Sequence, residues 1–199
     1  MKLKNTYFLL RHGENNCQTE KPGIVYFWPE NNPPCILTKQ GEEQIKDAAE
    51  KLREKNIDLI YSSDITRTRQ SAEIVAREIN KKIIFDQRLR DTNWGKFGGG
   101  PKEKAYIFFQ EAQGPEEKFK KAPEGGESWL DCQKRVLDFL KEVERKYQNK
   151  NILIVSHGDP LWLLEGAIKK MSVKEIMKEL TEPTNAKQKY LKVGELRKL

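Results

Sequence analysis

The stretch Phe8–Glu14 (FLLRHGE) places an arginine and a histidine directly after an apolar run. A run such as Tyr7–Leu10 is typical of a buried strand. A second apolar run, Ile152–Val155, is followed by SHG, so that His12 and His157, the two histidines of the chain, each stand at a strand end and precede a glycine. With glycine at about 7% of residues, two such pairs arise by chance in roughly 0.5% of cases. The repetition therefore indicates a shared role.

Helical patterns alternate with short apolar runs along the chain. Apolar residues recur at helical spacing within Thr38–Lys55 and Ala72–Ile79, and Ser128–Asp131 (SWLD) has the form of a capping box that begins a long helix. This alternation predicts an α/β fold with an open, mostly parallel sheet. The predicted strands are Tyr7–Leu10, Leu59–Tyr61, Lys82–Phe85 and Ile152–Val155. The partly polar segment Ala186–Val193 predicts a late edge strand.

The length of 199 residues predicts one domain over residues 1–199, since two independently stable domains of typical size would need a longer chain. Two stretches break the regular alternation. The first insertion, at about 17–36, holds four prolines, and the second insertion, at about 92–125, holds the triple glycine Gly98–Gly100. Long irregular segments between regular elements are often binding loops, so we expect both insertions to be lid-like.

The composition is that of a folded protein with a heavily charged surface, with 37% hydrophobic residues, 34% charged residues and a net charge of +7. The lysines are scattered along amphipathic helices and form no stripe interleaved with aromatics, which predicts no nucleic-acid partner. No apolar run approaches the length of a membrane span, and the first apolar run is too short for a signal-peptide core. We therefore expect a cytoplasmic protein with no membrane partner.

The three cysteines, Cys17, Cys35 and Cys132, are widely spaced and form no C-x-x-C pair. An odd number of cysteines at such spacing matches neither a disulfide framework nor a zinc site. We therefore expect three reduced thiols.

In an open parallel sheet, ligands bind outside the carboxyl ends of the strands, where helix N-termini offer donors to anions. His12 and His157 would meet there, and Arg11 would add a guanidinium whose fork of donors suits phosphate oxygens. Gly13 and Gly158 would let the backbone turn sharply and approach the ligand. The set predicts a pocket for a tetrahedral anion, although either histidine taken alone is equally compatible with a ring that only caps a strand.

Two more arginines stand at another junction of strand and helix. In YSSDITRTRQSAE, Arg67 and Arg69 lie at the start of a predicted helix, where cations oppose the helix dipole. A bound anion would explain them, and so would surface pairing with Asp64 or Glu73.

Four motifs of the chain, taken in order, resemble those of the histidine phosphatase superfamily, which includes the cofactor-dependent phosphoglycerate mutases. They are RHGE (Arg11–Glu14), SSDITRTRQSAE (Ser62–Glu73), GGESW (Gly125–Trp129) and VSHGD (Val155–Asp159). The similarity runs from about Tyr7 to Asn185 and includes EPTNA (Glu182–Ala186), which is similar to a Pro-Asn-Ala segment of the family. The resemblance implies a three-layer α/β/α sandwich with a mostly parallel central sheet, like that of phosphoglycerate mutase.

The resemblance also implies roles for single residues. His12 looks like the nucleophile that becomes phosphorylated, and Arg11, Arg67 and His157 look like the rest of the phosphate pocket. Asp91 stands where the family usually has a glutamate that donates a proton.

Next to these motifs the chain departs from the family pattern. Asn15 replaces a serine or threonine whose hydroxyl can touch phosphate, and Gln18 aligns with an asparagine. We count both amides among the predicted phosphate-binding residues.

Phosphoryl transfer depends mainly on positioning and on cations that match the developing charge. Arg11, Arg67 and a protonated His157 would supply that charge, so we expect neither a metal nor another cofactor. His12 would attack as a neutral ring whose other nitrogen donates to a fixed acceptor such as a backbone carbonyl.

The departing alkoxide needs a proton, which a carboxylic acid can supply before it activates water. Asp91 is the first candidate for this acid. Glu14, two residues after His12 and adjacent to the predicted site, is a second candidate, and an ion pair between Glu14 and Arg11 is an equally good structural interpretation.

The sequence favours a phosphomonoesterase that acts on a small phosphorylated metabolite through a phosphohistidine. Mutases of this superfamily, as the resemblance implies, carry paired arginines in a larger insertion, whereas Thr92–Gly125 contains lysines, among them Lys118, Lys120 and Lys121, and no arginine. A cofactor-dependent phosphoglycerate mutase is the second interpretation. A regulatory protein that binds a phosphate ligand without turnover is the third.

The identity of the substrate and the oligomeric state stay open, and a homodimer is compatible with the sequence. The aromatic cluster Tyr26–Trp28 would either stack on a flat group of the substrate or pack the first insertion onto the protein.

Overall fold

A central sheet is built from strands that lie far apart in the sequence. The computed structural model describes residues 2–181 and 191–199. Its strands are β1 (Thr6–Arg11), β2 (Leu59–Ser62), β3 (Ile83–Phe85), β4 (Asn151–Ser156) and β5 (Leu196–Lys198). They form one sheet in the order β3-β2-β4-β1-β5, in which β5 is antiparallel to β1 and the other neighbours are parallel.

Helices connect these strands. They are α1 (Asn16–Glu20), α2 (Lys39–Leu52), α3 (Thr66–Ile79), α4 (Lys102–Gln110), α5 (Pro115–Lys120), α6 (Trp129–Lys146), α7 (Gly158–Ile168) and α8 (Val173–Thr181). Single turns of 3₁₀-helix lie at Arg53–Lys55, Gln87–Leu89 and Gly95–Phe97. Among the described residues, no helix combines the length and the apolar character that crossing a lipid bilayer requires.

Alternate side chains of β1 pack on opposite faces of the sheet. Phe8 and Leu10 lie in a buried cluster with apolar residues of α2 and α3. Tyr7 and Leu9 lie in a second cluster with residues of α6 and α7. Because both faces are covered, the strand is apolar at every central position. The predicted three-layer α/β/α sandwich with a mostly parallel sheet is confirmed.

Side-chain caps begin two of the three longest described helices, α2 and α6, at the start of their helical patterns. The hydroxyl of Thr38 accepts a hydrogen bond from the backbone N–H of Gly41 at the start of α2. At the start of α6, the Ser128 hydroxyl accepts from the backbone N–H of Asp131, and the Asp131 carboxylate accepts from that of Ser128. The predicted capping box is confirmed.

The two insertions contact each other through their backbones. The N–H of Val25 donates to the carbonyl of Gly100, and the N–H of Gly99 donates to the carbonyl of Val25. Gly99 has a φ of +76°, and a Cβ atom there would overlap the ring of Phe27. This close approach explains why glycine is needed at this position.

The cysteines differ from the sequence-based expectation. Cys17 and Cys35 form a disulfide with Cα atoms 5.5 Å apart, whereas Cys132 is free and buried. An isolated β-bridge between Asn15 and Leu37 brings the two ends of the first insertion together. The prediction of reduced thiols is therefore wrong for this pair, because the path of the insertion, and not the spacing of the cysteines, creates their proximity.

The late edge strand also differs from its prediction. The edge of the sheet is formed by β5, and residues 191–193 of the predicted strand Ala186–Val193 belong to no strand. Residues 186–190 lie outside the described residues, as does the EPTNA segment, Glu182–Ala186.

Gly41 provides a test of the packing between α2 and the chain that follows β1. Helix propensity alone predicts that Gly41→Ala stabilises the protein by roughly 1 kcal/mol. A Cβ atom at Gly41, however, would overlap the carbonyl oxygen of Glu14, so we expect the free energy of unfolding to fall by about 1–3 kcal/mol. Urea unfolding followed by circular dichroism measures the change. The exposed neighbour Gln40→Ala is the control, and a stabilised Gly41→Ala protein would contradict this account of the packing.

Candidate active site

His12 and His157 follow adjacent parallel strands. Arg11 of β1 lies opposite Ser156 of β4 in the register of the sheet, so the next residue of each chain segment is a histidine at the same edge. The two ring centroids are 5.4 Å apart and the rings meet edge to face. Both residues are buried, with exposed fractions of 1% and 0%. The structure thus brings the two imidazoles into one site.

Hydrogen bonding assigns the tautomer of His12. Its Nδ1 lies 2.8 Å from the carbonyl oxygen of Gly13. Because a carbonyl oxygen only accepts, Nδ1 carries the hydrogen and Nε2 keeps a lone pair. His12 lines a cavity of about 400 Å³, so a nucleophilic nitrogen is available beside a space that a ligand can enter.

The tautomer of His157 follows from its two neighbours. Nε2 lies 3.0 Å from the hydroxyl oxygen of Ser63, which also accepts a hydrogen bond from the backbone N–H of Ile65. Nδ1 lies 3.7 Å from a carboxylate oxygen of Asp91. A lone pair on Nδ1 would face that negative charge, so we assign the hydrogen to Nδ1 and a hydrogen bond from the Ser63 hydroxyl to Nε2.

Two guanidinium groups lie beside the histidines. Arg67, 1% exposed, donates from NH2 to Asp91 Oδ2 at 2.8 Å, and its guanidinium carbon lies 4.5 Å from the ring centroid of Tyr26. Arg11 donates from NH1 to the backbone oxygen of Leu191 at 2.9 Å. Arg69, in contrast, lies over the ring of Phe85 and not on the cavity wall.

Three buried nitrogens of this site have no hydrogen-bond partner among the described residues. They are Nε of Arg11, Nε of Arg67 and Nδ1 of His157. Buried polar atoms in folded proteins are almost always hydrogen-bonded, because leaving one unpaired costs its full desolvation energy. All three are donors in the assigned tautomer. A tetrahedral oxyanion offers several acceptor oxygens and would satisfy them together.

Burial and nearby guanidinium groups keep both imidazoles neutral. Burial, and after it the charges of Arg67, His157 and Arg11, lower the pKa of His12 well below its usual value. Burial, Arg67, Arg11 and Arg135 do the same to the pKa of His157. His157 is therefore neutral in the anion-free site, where burial and the neighbouring arginines lower its pKa. A protonated His157 facing the transferring phosphoryl group stays a prediction.

Asp91 is held on the cavity wall at several points. Oδ2 accepts from Arg67, and Oδ1 accepts from the backbone N–H of Thr92 at 3.1 Å. The backbone oxygen of Asp91 accepts from Nε1 of Trp28 and from NH2 of Arg135. The carboxyl group is 22% exposed, so it is accessible from the cavity.

Three predicted site residues lie off the cavity. The Glu14 carboxylate accepts from the Thr38 hydroxyl at 2.8 Å, and no ion pair joins it to Arg11 in the described part of the chain. Gln18 Oε1 accepts from both the backbone N–H and the side-chain amide of Asn15. None of Glu14, Asn15 and Gln18 is among the described residues that line the cavity. Gln18 Oε1 thus caps the backbone N–H of Asn15 at the start of α1, and this local hydrogen bond competes with the predicted contact to phosphate.

The N-terminus of α7 completes the inner wall. Gly158, its first residue, lines the cavity, and Asp159 follows it there. The Asp159 carboxylate accepts from the Thr92 hydroxyl and from Nε1 of Trp129. The structure thus brings Arg11, His12, Arg67, Asp91 and Gly158 to one cavity, with His157 directly behind them.

Two residues that hold the site residues in place, Ser63 and Arg135, were not predicted from the sequence. Ser63 orients His157, and its position directly after β2 was a signal that could have found it. Arg135 of α6 pairs with Glu127 at 2.6 Å and holds the backbone of Asp91. No pattern in the sequence marks Arg135, because its role depends on how α6 lies against a distant loop.

Comparison with known proteins gives consistent matches. A sequence profile of the histidine phosphatase superfamily (branch 1) matches residues 7–190. Phosphoserine phosphatase 1 of Hydrogenobacter thermophilus is 32% identical over 127 residues, which are 63% of this chain and 60% of that protein. The chain therefore matches less than two thirds of this relative's length.

Two further proteins cover more of the chain. The probable phosphoglycerate mutase GpmB of Escherichia coli (strain K12 / DH10B) is 33% identical over 171 residues, 81% of this chain and 73% of that protein. The solved structure of YhfR from Bacillus stearothermophilus has a TM-score of 0.78 at 25% identity, and the match covers 98% of this chain and 90% of that one.

The two histidines allow a direct test of their charge state. We expect both rings to stay neutral in the folded, anion-free protein as the pH falls through the usual histidine range near about 6.5, because burial and the arginines lower both pKa values. The unfolded chain would take up protons near about pH 6.5. The stability that these neutral rings contribute is thus present above about pH 6.5 and lost as the pH falls below it.

Nuclear magnetic resonance of ¹⁵N-labelled histidine measures both titrations, since the chain has two histidines. The same protein unfolded in urea is the control and should titrate near about pH 6.5. A folded-state ring that titrates at the same pH as in urea would contradict the description of the site.

Proposed function

The chain belongs to the histidine phosphatase superfamily, and on that premise we propose that it is a metal-independent phosphomonoesterase that hydrolyses a small phosphorylated metabolite through a phosphohistidine at His12. One observation carries the proposal: Arg11 and Arg67 line the same cavity as His12, the His157 ring lies 5.4 Å from that of His12, and Arg11, Arg67 and His157 each hold a buried donor without a partner among the described residues. Guanidinium groups bind phosphate oxygens through paired donors and can balance the charge of the transferring group. The name of the phosphoserine phosphatase relative supports hydrolysis.

The first step forms the phosphoenzyme. Nε2 of His12 attacks phosphorus in line with the ester oxygen while Arg11, Arg67 and the Nδ1–H of His157 bind the other oxygens. The bond from phosphorus to the ester oxygen breaks and its electron pair stays on that oxygen. Asp91 takes up a proton from the phosphoester monoanion as the substrate binds and passes it to that oxygen, which makes the alcohol. The proton that Asp91 gains from water in the second step leaves with the product phosphate.

The second step restores the enzyme. Water attacks phosphorus and gives a proton to the Asp91 carboxylate, the bond from nitrogen to phosphorus breaks, and the electron pair returns to Nε2 of His12. The sum of the two steps converts a phosphomonoester and water into an alcohol and inorganic phosphate.

The geometry supports Asp91 over Glu14 as the acid. Asp91 is on the cavity wall beside Arg67 and His157, whereas the Glu14 carboxylate is bound to the hydroxyl of Thr38. An incoming phosphate would compete with Asp91 for the Arg67 guanidinium. Binding of the substrate would therefore free the Asp91 carboxyl group from Arg67.

A cofactor-dependent phosphoglycerate mutase is the second candidate, and the similarity to the E. coli protein favours it. A mutase must keep its phosphohistidine away from water and return the group to a second hydroxyl, whereas a phosphatase admits water. Incubation with 3-phosphoglycerate and bisphosphoglycerate separates the two, since a mutase gives 2-phosphoglycerate and a phosphatase gives inorganic phosphate.

The domain organisation, the location and the oligomeric state of the protein belong to the same proposal. The insertions at about 17–36 and 92–125 both contribute cavity residues, which supports one domain with lid-like insertions over residues 1–199. The cytoplasmic location and a homodimer stay predictions. The disulfide between Cys17 and Cys35 weighs against the cytoplasm, because disulfides persist mainly in oxidising compartments.

His12→Ala tests the nucleophile. We expect the variant to lose phosphate release by at least about 10³-fold and to form no phosphoenzyme, because no other ring nitrogen can take the group. Phosphate release and intact-protein mass after an acid-free quench measure both losses. A variant that keeps the wild-type rate would overturn the assignment. Wild-type protein that binds phosphate but turns over no phosphoester would support the non-catalytic alternative.

Asp91→Asn tests the acid. We expect kcat/KM to fall by about 10²–10⁴-fold for an alkyl phosphate and much less for p-nitrophenyl phosphate, whose leaving group departs without a proton. Steady-state kinetics on both esters measure the difference. Glu14→Gln keeps the acceptor for Thr38 and is the matched control, with both rates near wild type. An equal loss on both esters would contradict a proton-donor role.

A further inference from the structure

The cavity extends well beyond the space that a phosphate group needs. Its volume of about 400 Å³ lies within the range of sites that enclose whole organic ligands. Arg11, His12 and Arg67 form one part of the wall, and the two insertions form most of the rest. The residues of the insertions therefore determine which alcohol portion of a phosphoester fits.

The walls from the insertions are rich in aromatic rings. They contribute Tyr26, Phe27, Trp28, Trp94, Tyr106 and Phe109. The ring of Phe109 meets that of Trp94 edge to face and stacks on that of Trp129, so the inner side is packed. Phe27, Trp28 and Tyr106 line the cavity but are 54%, 41% and 57% exposed. Apolar rings that stay exposed in a cavity favour a ligand with an apolar, flat body.

Two lysines line the same wall and form no ion pair with another described residue. Lys102, the first residue of α4, and Lys118 of α5 are half-buried and line the cavity. No ion pair in the described part of the chain includes either lysine, although Glu103 and Glu117 are their neighbours in sequence. A cation at the first position of a helix also opposes the helix dipole, so an anion beside Lys102 would be stabilising.

The carboxylates of the cavity wall are occupied elsewhere. Asp91 pairs with Arg67 and accepts from the backbone of Thr92. Asp159 accepts from the hydroxyl of Thr92 and from Trp129. The two lysines would therefore bind a negatively charged group of the ligand. This group is not the phosphate, which is bound by the arginines and histidines.

We propose that the substrate is a phosphomonoester whose alcohol portion has a flat, apolar body and carries a carboxylate, with the body against the aromatic wall and the carboxylate bound by Lys102 and Lys118. This inference rests on the proposed phosphomonoesterase activity and names its substrate class. Lysine suits a carboxylate at a half-open site, since its charge adapts to the position of the anion without the fixed geometry of a guanidinium.

Matched esters test the charge. Phenyl phosphate and 4-(2-carboxyethyl)phenyl phosphate have similar leaving groups and differ in the carboxylate. We expect wild-type kcat/KM to favour the carboxylated ester by about tenfold and the preference to shrink at high salt. In the double variant Lys102→Met and Lys118→Met the preference should fall to about one. The control pair, Lys104→Met and Lys120→Met, changes exposed lysines of the same helices that do not line the cavity and should keep the preference.

Binding to His12→Ala protein tests the flat body without turnover. Calorimetry should show tighter binding of the carboxylated phenyl ester than of an unbranched ω-phosphooxy alkanoate of the same length, by about tenfold. Equal affinities would overturn the aromatic part of the inference.

The outcomes separate this inference from the proposed function. The lysine site is overturned if both phenyl esters are hydrolysed with no preference for the carboxylated ester, or if the double variant keeps that preference. The proposed phosphatase activity is supported in both cases. If neither ester is hydrolysed, the proposed phosphatase activity is overturned. In that case, calorimetry still tests the lysine site. It compares the binding of the two phenyl esters to His12→Ala protein with and without the two lysine changes.

Discussion

The site depends on two guanidinium groups that the fold buries beside two neutral imidazoles. Arg67 is almost fully enclosed and has one carboxylate partner, and Arg11 is bound to a backbone oxygen, so the local positive charge is not fully balanced within the described residues. Charges removed from water attract opposite charge strongly because little solvent screens them. The same charges, together with burial, lower the pKa of both histidines and so keep a lone pair on the ring nitrogen of His12. In the mechanism that we propose, anion binding and activation of the His12 nucleophile therefore have one physical cause.

The sheet makes this arrangement possible. β1 and β4 are neighbours in parallel register, which places both histidines at one edge, and β2 next to β4 brings Ser63 behind His157. The supports come from the other layers of the sandwich. Arg135 on α6 holds the backbone of Asp91 and is itself held by Glu127. These contacts fix the loop that carries Asp91 relative to the ends of the strands. In the mechanism that we propose, this provides the preorganisation that catalysis requires.

The sequence predicted the four parallel strands β1 to β4, the long helices and the grouping of the two histidines with Arg11, because those features depend on local pattern. A buried parallel strand is apolar at every position, and a helix that packs on the core has apolar residues at helical spacing. The residue that follows a strand lies at the edge of the sheet where that strand ends. Features that depend on long-range geometry were missed. The disulfide between Cys17 and Cys35 requires the first insertion to fold back on itself, and the neutral charge of His157 depends on burial that no motif records. The alignment of Gln18 with a family asparagine predicts a contact with phosphate, whereas in the structure Gln18 Oε1 accepts hydrogen bonds from the backbone and the side chain of Asn15.

The most direct test is a crystal structure of the protein with orthovanadate, which mimics the transferring phosphoryl group. The account predicts vanadium within bonding distance of Nε2 of His12, with its oxygens on Arg11, Arg67 and Nδ1 of His157. Vanadate bound elsewhere, for example at the basic surface around Lys2 and Arg88, with the histidine pocket unchanged, would contradict the claim that these four side chains form one anion site.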